Sequence, residues 1–139
     1  MEACIFCKII KGEIPAAKVY EDKETLAFLD IAPAQPKGGH VLVLPKKHCE
    51  LLSEMTDNDA EKLMVTVKKI TKALLEFGEG VNILQNNKTV AGQLVPHVHF
   101  HIIPRFSADQ FSIGKWKSNI YGTKEQMDAV AEKIKSLLK

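Results

Sequence analysis

Ala91-Gly92-Gln93-Leu94-Val95-Pro96-His97-Val98-His99-Phe100-His101-Ile102-Ile103-Pro104-Arg105 is the stretch around which this chain is organised. Three of the five histidines fall here in strict alternation, with Val98 and Phe100 between them and Ile102 following. An extended strand alternates its side chains, so the three imidazoles share one face and the apolar residues the other. Same-face neighbours stand roughly 6.6 Å apart, close enough for a row of rings to serve one small anion. Aligned imidazoles repel when protonated and lose hydration when buried, so stability alone gives no reason to line them up. Two functional readings remain: metal ligation, or phosphate chemistry with histidine as nucleophile and donor. Pro96 and Pro104 suit the strand's ends, because proline sits poorly inside a central ladder.

At 139 residues the chain suits one domain with a genuine core, residues 4–105, plus a C-terminal extension and helix over 106–139. Apolar content of 45% and charged content of 26% are those of a soluble globular protein. A net charge of +2 is too small to argue for nucleic acid or an anionic membrane as the main partner, and neither a membrane nor a specific nucleic acid is expected. No apolar run approaches the ~20 residues of a membrane span. The opening Met1-Glu2-Ala3-Cys4 lacks the layout of a secretory signal, so a cytoplasmic location is expected.

Cys4-Ile5-Phe6-Cys7 opens the core. On its own this spacing fits half a zinc site, a redox pair or two small buried thiols; no strand precedes it, as a redox motif usually requires. Ile5, Phe6, Ile9 and Ile10 suggest a short helical turn. Lys18–Glu21 and Thr25–Asp30 read as strands around an Asp22-Lys23-Glu24 turn, and His40–Leu44 as the next, closed by Pro45. Asp30 is either a turn initiator or an acceptor for vicinal ribose hydroxyls. Ala60, Leu63, Met64, Val67, Ile70, Leu74 and Phe77 predict an amphipathic helix from Asp57 to Phe77, its stripe serving as core or dimer seam. Val81–Gln85 is a strand leading into the histidine run. Thr123-x-x-Gln126 is a capping box ahead of a terminal helix, whereas 106–122 shows no periodicity. The class expected is α+β, with a mostly antiparallel five-stranded sheet, one inserted helix and a C-terminal helix.

Gly92-Gln93-x-x-x-His97-x-His99-x-His101-Ile102-Ile103 resembles the signature of the HIT (histidine triad) nucleotide hydrolases and transferases. The stretches 5–10, 27–31 and 39–48 are similar to its Hint-like branch in the same order. The resemblance implies a homodimer whose sheets continue across the interface, and a purine nucleotide substrate. His99 resembles the nucleophile that becomes nucleotidylated, His101 the residue bonded to the α-phosphate, and His40 a supporting histidine linked to the triad through backbone groups. Asp30 is similar to the ribose-binding carboxylate. Ile5, Phe6, Ile9, Phe28, Leu29 and Ile31 correspond to the purine walls, and Asn86 and Gln93 to amides that bind ribose or phosphate. Zinc-bearing members place Cys4, Cys7, His48 and His97 on one metal. Such a closed tetrahedral Zn²⁺ is structural.

The implied activity is hydrolysis of purine nucleoside 5′-phosphoramidates or related AMP adducts through a nucleotidyl-histidine. Dinucleoside polyphosphate hydrolysis, nucleotidyl transfer, an open metal site on the three strand histidines, and a scaffold with little turnover are the alternatives. Leu94 stands where many relatives carry Ser or Thr. It offers phosphate a backbone N–H but no side-chain proton for an amine leaving group. Cys49 has no partner in this scheme and is expected as a small buried side chain.

Overall fold

The computed structural model describes residues 4–113 and 115–138. Residues 1–3, on which the reading of the N-terminus partly rests, lie outside them, as do 114 and 139. Five strands, β1 (Lys18–Glu21), β2 (Thr25–Leu29), β3 (Val41–Pro45), β4 (Gly80–Gln85) and β5 (Phe100–Arg105), form one open antiparallel sheet in the order β1-β2-β3-β5-β4. Three α-helices accompany it: α1 (Ile5–Ile10), α2 (Asp57–Phe77) and α3 (Lys124–Leu137). No helix among the described residues is long and apolar enough to cross a membrane.

The β1–β2 hairpin closes on Asp22, whose Oδ1 accepts from the backbone N–H groups of Glu24 and Thr25 and from the Thr25 hydroxyl. Thr56 caps α2 by accepting from Asp59 N–H, and Gly78 ends the helix at the expected place. Its buried side comprises Leu63, Thr66, Val67, Ile70, Ala73 and Leu74, whereas Met64 is half exposed. The capping box Thr123–Gln126 opens α3 as predicted.

Alternation divides the sheet into two apolar layers. Val41, Val43, Phe100 and Ile102 face α2 and α3, forming the larger core with Leu63, Ile70 and Ile134. Leu26, Phe28, Leu42 and Leu44 face the other way and pack beneath α1 through Phe6, Cys7 and Ile9. Cys4 and Cys7, and through Phe6 also His99, lie on this second face.

Two expectations for the histidine strand need correction. β5 begins at Phe100, so His97 and His99 precede it. The ladders with β3 and β4 both begin at Phe100, while Val98 N–H donates to the Cys49 carbonyl of a loop instead. Pro104 lies inside β5, opposite Val81, and not at its end. The β3 ladder has already stopped at Ile102, so proline's missing N–H falls where β5 has lost that neighbour.

Candidate active site and metal cluster

A cavity of about 650 Å³ opens between α1, the ends of β2 and β4, and the His99–His101 segment. Ile5, Phe6 and Ile9 line it from the helix, and Phe28, Leu29, Asp30 and Ile31 from the end of β2. Asn86, Leu94, His99 and His101 line it as well, so of the expected nucleotide-binding residues all but Gln93 are at the cavity. Phe6 stands edge-on to Phe28 at 5.7 Å and to His99 at 5.0 Å between ring centroids, so α1 directly walls the imidazoles.

The hydrogen bonds fix which nitrogen carries each proton. His99 Nδ1 lies 2.7 Å from the His97 carbonyl, which can only accept, so Nδ1–H donates and Nε2 keeps its lone pair. The Ala34 backbone N–H donates to His40 Nδ1 at 3.0 Å, so the proton of neutral His40 sits on Nε2. That Nε2–H donates to His101 Nδ1 at 2.9 Å, leaving His101 with Nε2–H. The cavity is thus offered a lone pair from His99 and a proton from His101, with ring centroids 5.1 Å apart. His40 reaches the triad ring to ring, not through backbone groups as the resemblance implied.

Burial keeps these rings neutral. It lowers His99, partly opposed by the bond to the His97 carbonyl. It pushes His101 down to about 4 and His40 to about 3, with the neighbouring imidazoles adding to the effect. A neutral ring is what nucleophilic attack requires. Burial raises the Asp30 carboxyl, opposed by the Ala32 N–H that donates to its Oδ1 at 2.8 Å.

Gln93 departs from expectation. Its Oε1 accepts from Lys88 N–H and its Nε2 donates to the Glu50 carbonyl, and it does not line the cavity. The amide is spent bracing a loop in which Lys88 holds a positive φ of 76°. Trp116 was missed as a site residue. It lines the cavity with its ring edge-on to His40 and His101, at 6.0 and 5.9 Å. Being the sole tryptophan in an aperiodic stretch was the signal available.

At the N-terminal end of α1, Cys4, Cys7, His48 and His97 converge, with one potential ligand atom from each lying within 4.8 Å of the others. His97 Nδ1 is 3.4 Å from Cys4 Sγ and 3.2 Å from His48 Nδ1, and Cys7 Sγ is 3.2 Å from His48 Nδ1. A tetrahedral zinc with bonds of about 2.0–2.3 Å needs ligand atoms roughly 3.3–3.8 Å apart, so the four donors fit it. His97 Nε2–H donates to the Pro45 carbonyl at 2.8 Å, which leaves Nδ1 as its ligand atom. Burial and the adjacent Cys4 push the Cys7 thiol up, an effect a bound dication reverses. Among the described residues His97, His99 and His101 do not gather as one ligand set: their Nδ1 atoms turn to the cysteines, to a carbonyl and to His40. Cys49 is only half-buried and donates weakly to the Leu51 carbonyl.

Fold and cavity together define an α+β protein with paired imidazoles beside a closed Cys₂His₂ cluster. A HIT domain model matches residues 11–108. The adenosine 5′-monophosphoramidase hnt1 of Schizosaccharomyces pombe is 43% identical over 137 residues, 99% of each chain. An uncharacterized HIT-like protein of Methanocaldococcus jannaschii is 56% identical over 107 residues, covering 76% of this chain and 81% of that one. Among solved structures, a HIT-like protein of Bartonella henselae has a TM-score of 0.87 at 36% identity, over 99% of this chain and 98% of its own. A zinc-bound histidine triad family protein of Mycobacterium smegmatis has a TM-score of 0.85 at 29% identity, over 99% and 94%. The chain belongs to the HIT family.

Proposed function

We propose that the protein is a nucleotide hydrolase that cleaves purine nucleoside 5′-phosphoramidates or related AMP adducts through a nucleotidyl-His99 intermediate. The observation that carries this reading is the opposed protonation of His99 and His101 at one cavity. The full-length similarity to an adenosine 5′-monophosphoramidase supports the substrate class.

In the first step the His99 Nε2 lone pair forms an N–P bond as the bond from phosphorus to the leaving group breaks, and a departing amine takes its proton from solvent at the cavity mouth, since Leu94 has none to give. Charge developing on the non-bridging oxygens is met by His101 Nε2–H. The proton stays on His99 Nδ1, donated to the His97 carbonyl throughout, so the phosphorylated ring is cationic and a good leaving group. Water then attacks phosphorus and releases a proton to solvent, the N–P bond breaks, AMP departs and His99 regains its lone pair. Ile5, Phe6, Ile9 and Phe28 sandwich the base, and Asp30 accepts from the ribose hydroxyls. Ile31 and Leu29 extend the same wall, and Asn86 faces the ribose–phosphate.

Cys4, Cys7, His48 and His97 would hold a structural Zn²⁺, whose chemistry is to tie α1 to the histidine segment. A reducing compartment such as the cytoplasm keeps both thiols available. A homodimer is part of the proposal. β4 is an edge strand with Ile83 49% exposed, and α2 packed on it exposes Val65 and Leu75. An unpaired edge beside apolar side chains is the surface a second copy would continue.

The test is a turnover panel of AMP amides, esters and anhydrides on the purified protein. Fastest turnover of the amides supports the proposal; preference for dinucleoside polyphosphates, or binding without turnover, rejects it.

A further inference from the structure

The aperiodic segment after β5 is attached at several points to the loop that precedes His40. Asp109 Oδ2 accepts from the buried Gln35 Nε2 at 2.6 Å, and the Tyr121 hydroxyl accepts from Gly39 N–H at 3.0 Å. Gly38 has φ +75°, and a Cβ there would lie 2.5 Å from the Tyr121 ring, so the approach requires glycine. The most telling contact is with Pro33. Its carbonyl accepts two bonds from Asn119, from the backbone N–H at 2.9 Å and from Nδ2 at 3.2 Å.

That carbonyl belongs to the same peptide unit as the Ala34 N–H. A trans peptide is planar, with its C=O and N–H pointing in opposite directions, so gripping the oxygen aims the hydrogen. The hydrogen in question is the donor to His40 Nδ1. We infer that Asn119 is a positioning residue for the reaction: by holding the 33–34 peptide plane, it sets the proton on His40 Nε2 and hence on His101 Nε2. Were that plane to rotate, its carbonyl would face His40 Nδ1 in place of the N–H. His40 would then carry its proton on Nδ1, and His101 would donate through Nδ1 to His40 Nε2. His101 would turn a lone pair, not a proton, toward the phosphate oxygens. Asn119 is half-buried and belongs to no regular element, so its place is explained neither by the core nor by a helix or strand. Its Nδ2 also donates to the Lys117 carbonyl at 3.2 Å, which stiffens the turn carrying Trp116.

The inference rests on the proposed role of His101 as phosphate donor, so its test reads the rings separately from turnover. Nitrogen-15 spectra of histidine-labelled protein without nucleotide distinguish protonated from bare ring nitrogens. They would be compared among wild type, Asn119→Ala (side-chain bond removed) and Asn119→Pro (both bonds removed). Wild type is expected to show His40 and His101 each protonated on Nε2 alone. The variants are expected to show a growing Nδ1-protonated population, larger for proline. With adenosine 5′-phosphoramidate as the probe, kcat should fall about tenfold for Asn119→Ala, part of the roughly 10²–10⁴-fold that a positioned proton donor supplies, because one of the two bonds to Pro33 remains. KM and the thermal midpoint should stay near wild type. Asn119→Ala carries the test whether or not Asn119→Pro folds. Unchanged ring signals in a folded variant, or a loss confined to KM, would overturn the inference. The predicted ring changes in a protein that turns over no AMP adduct would leave the inference standing and remove the proposed function instead.

Discussion

The carbonyl of His97 accepts the Nδ1–H of His99 at 2.7 Å, while the ring of His97 turns the other way, toward Cys4 and His48. One residue thereby belongs to both the Cys–His cluster and the hydrogen-bond chain of the proposed nucleophile. Disturbing the cluster shifts the His97 backbone and, with it, the direction of the His99 ring. Zinc bound at one ion per chain is expected by elemental measurement on protein purified without chelator. Cys4→Ser with Cys7→Ser should abolish it, lower the thermal midpoint by roughly 5–10 °C, and reduce kcat more than KM. Wild-type metal content in that double variant would contradict the ligand set.

The buried imidazoles make stability depend on pH in a stated direction. His40 is held down to about 3 and His101 to about 4 by burial, then by neighbouring imidazoles. In the unfolded chain both titrate near ~6.5, so below that pH the unfolded state binds more protons. The stability these neutral rings share in is fully present above about pH 6.5 and is lost as pH falls toward 4. Each ring contributes a slope of up to about 1.4 kcal/mol per pH unit in that window. Urea titrations at pH 7.5, 6.0 and 5.0 read it; a denaturation midpoint independent of pH over that range would contradict it.

Leu94 sits at the cavity mouth, 89% exposed, where a hydroxyl could pass a proton to a departing amine. Leu94→Ser is expected to raise kcat for AMP amides about three- to tenfold while changing good leaving groups little, since only the amide needs the proton. The ratio of amide to p-nitrophenyl ester turnover measures this. An equal change in both would show that residue 94 acts on something other than leaving-group protonation.

The proposed dimer surface is tested at its least costly point. Ile83 is half exposed on an edge strand, so Ile83→Lys should not disturb the core of a monomer. It is expected to shift the mass in solution from two chains toward one, because a charge on an edge opposes strand pairing. Light scattering distinguishes the cases, and a monomeric wild type would reject the dimer outright.

Much of the fold was legible because its signals are local and repeated. The helical period from Ala60 to Phe77 marked out α2 over Asp57–Phe77, the bounds observed. The triad's alternation correctly placed its rings on the face opposite Phe100 and Ile102, yet misplaced the strand's start. Alternation reports an extended backbone, whereas a strand also needs neighbours, and those reach only to Phe100. The residues gathered at the cavity and the Cys–His cluster were legible from the resemblance. Gln93 was not, because the same amide can brace a loop or face a ligand, and only the fold decides. Trp116 and Asn119 lay beyond reach for a simpler reason. Their partners Pro33, His40 and His101 are remote in sequence, and no period or motif connects them.

The most direct measurement is mass spectrometry on protein quenched during turnover of adenosine 5′-phosphoramidate. An AMP adduct on the peptide containing 97–103, localised to His99, is expected in wild type. His99→Gly should show no adduct and no turnover while still binding AMP. An adduct on another residue, or wild-type turnover in His99→Gly, would contradict the account.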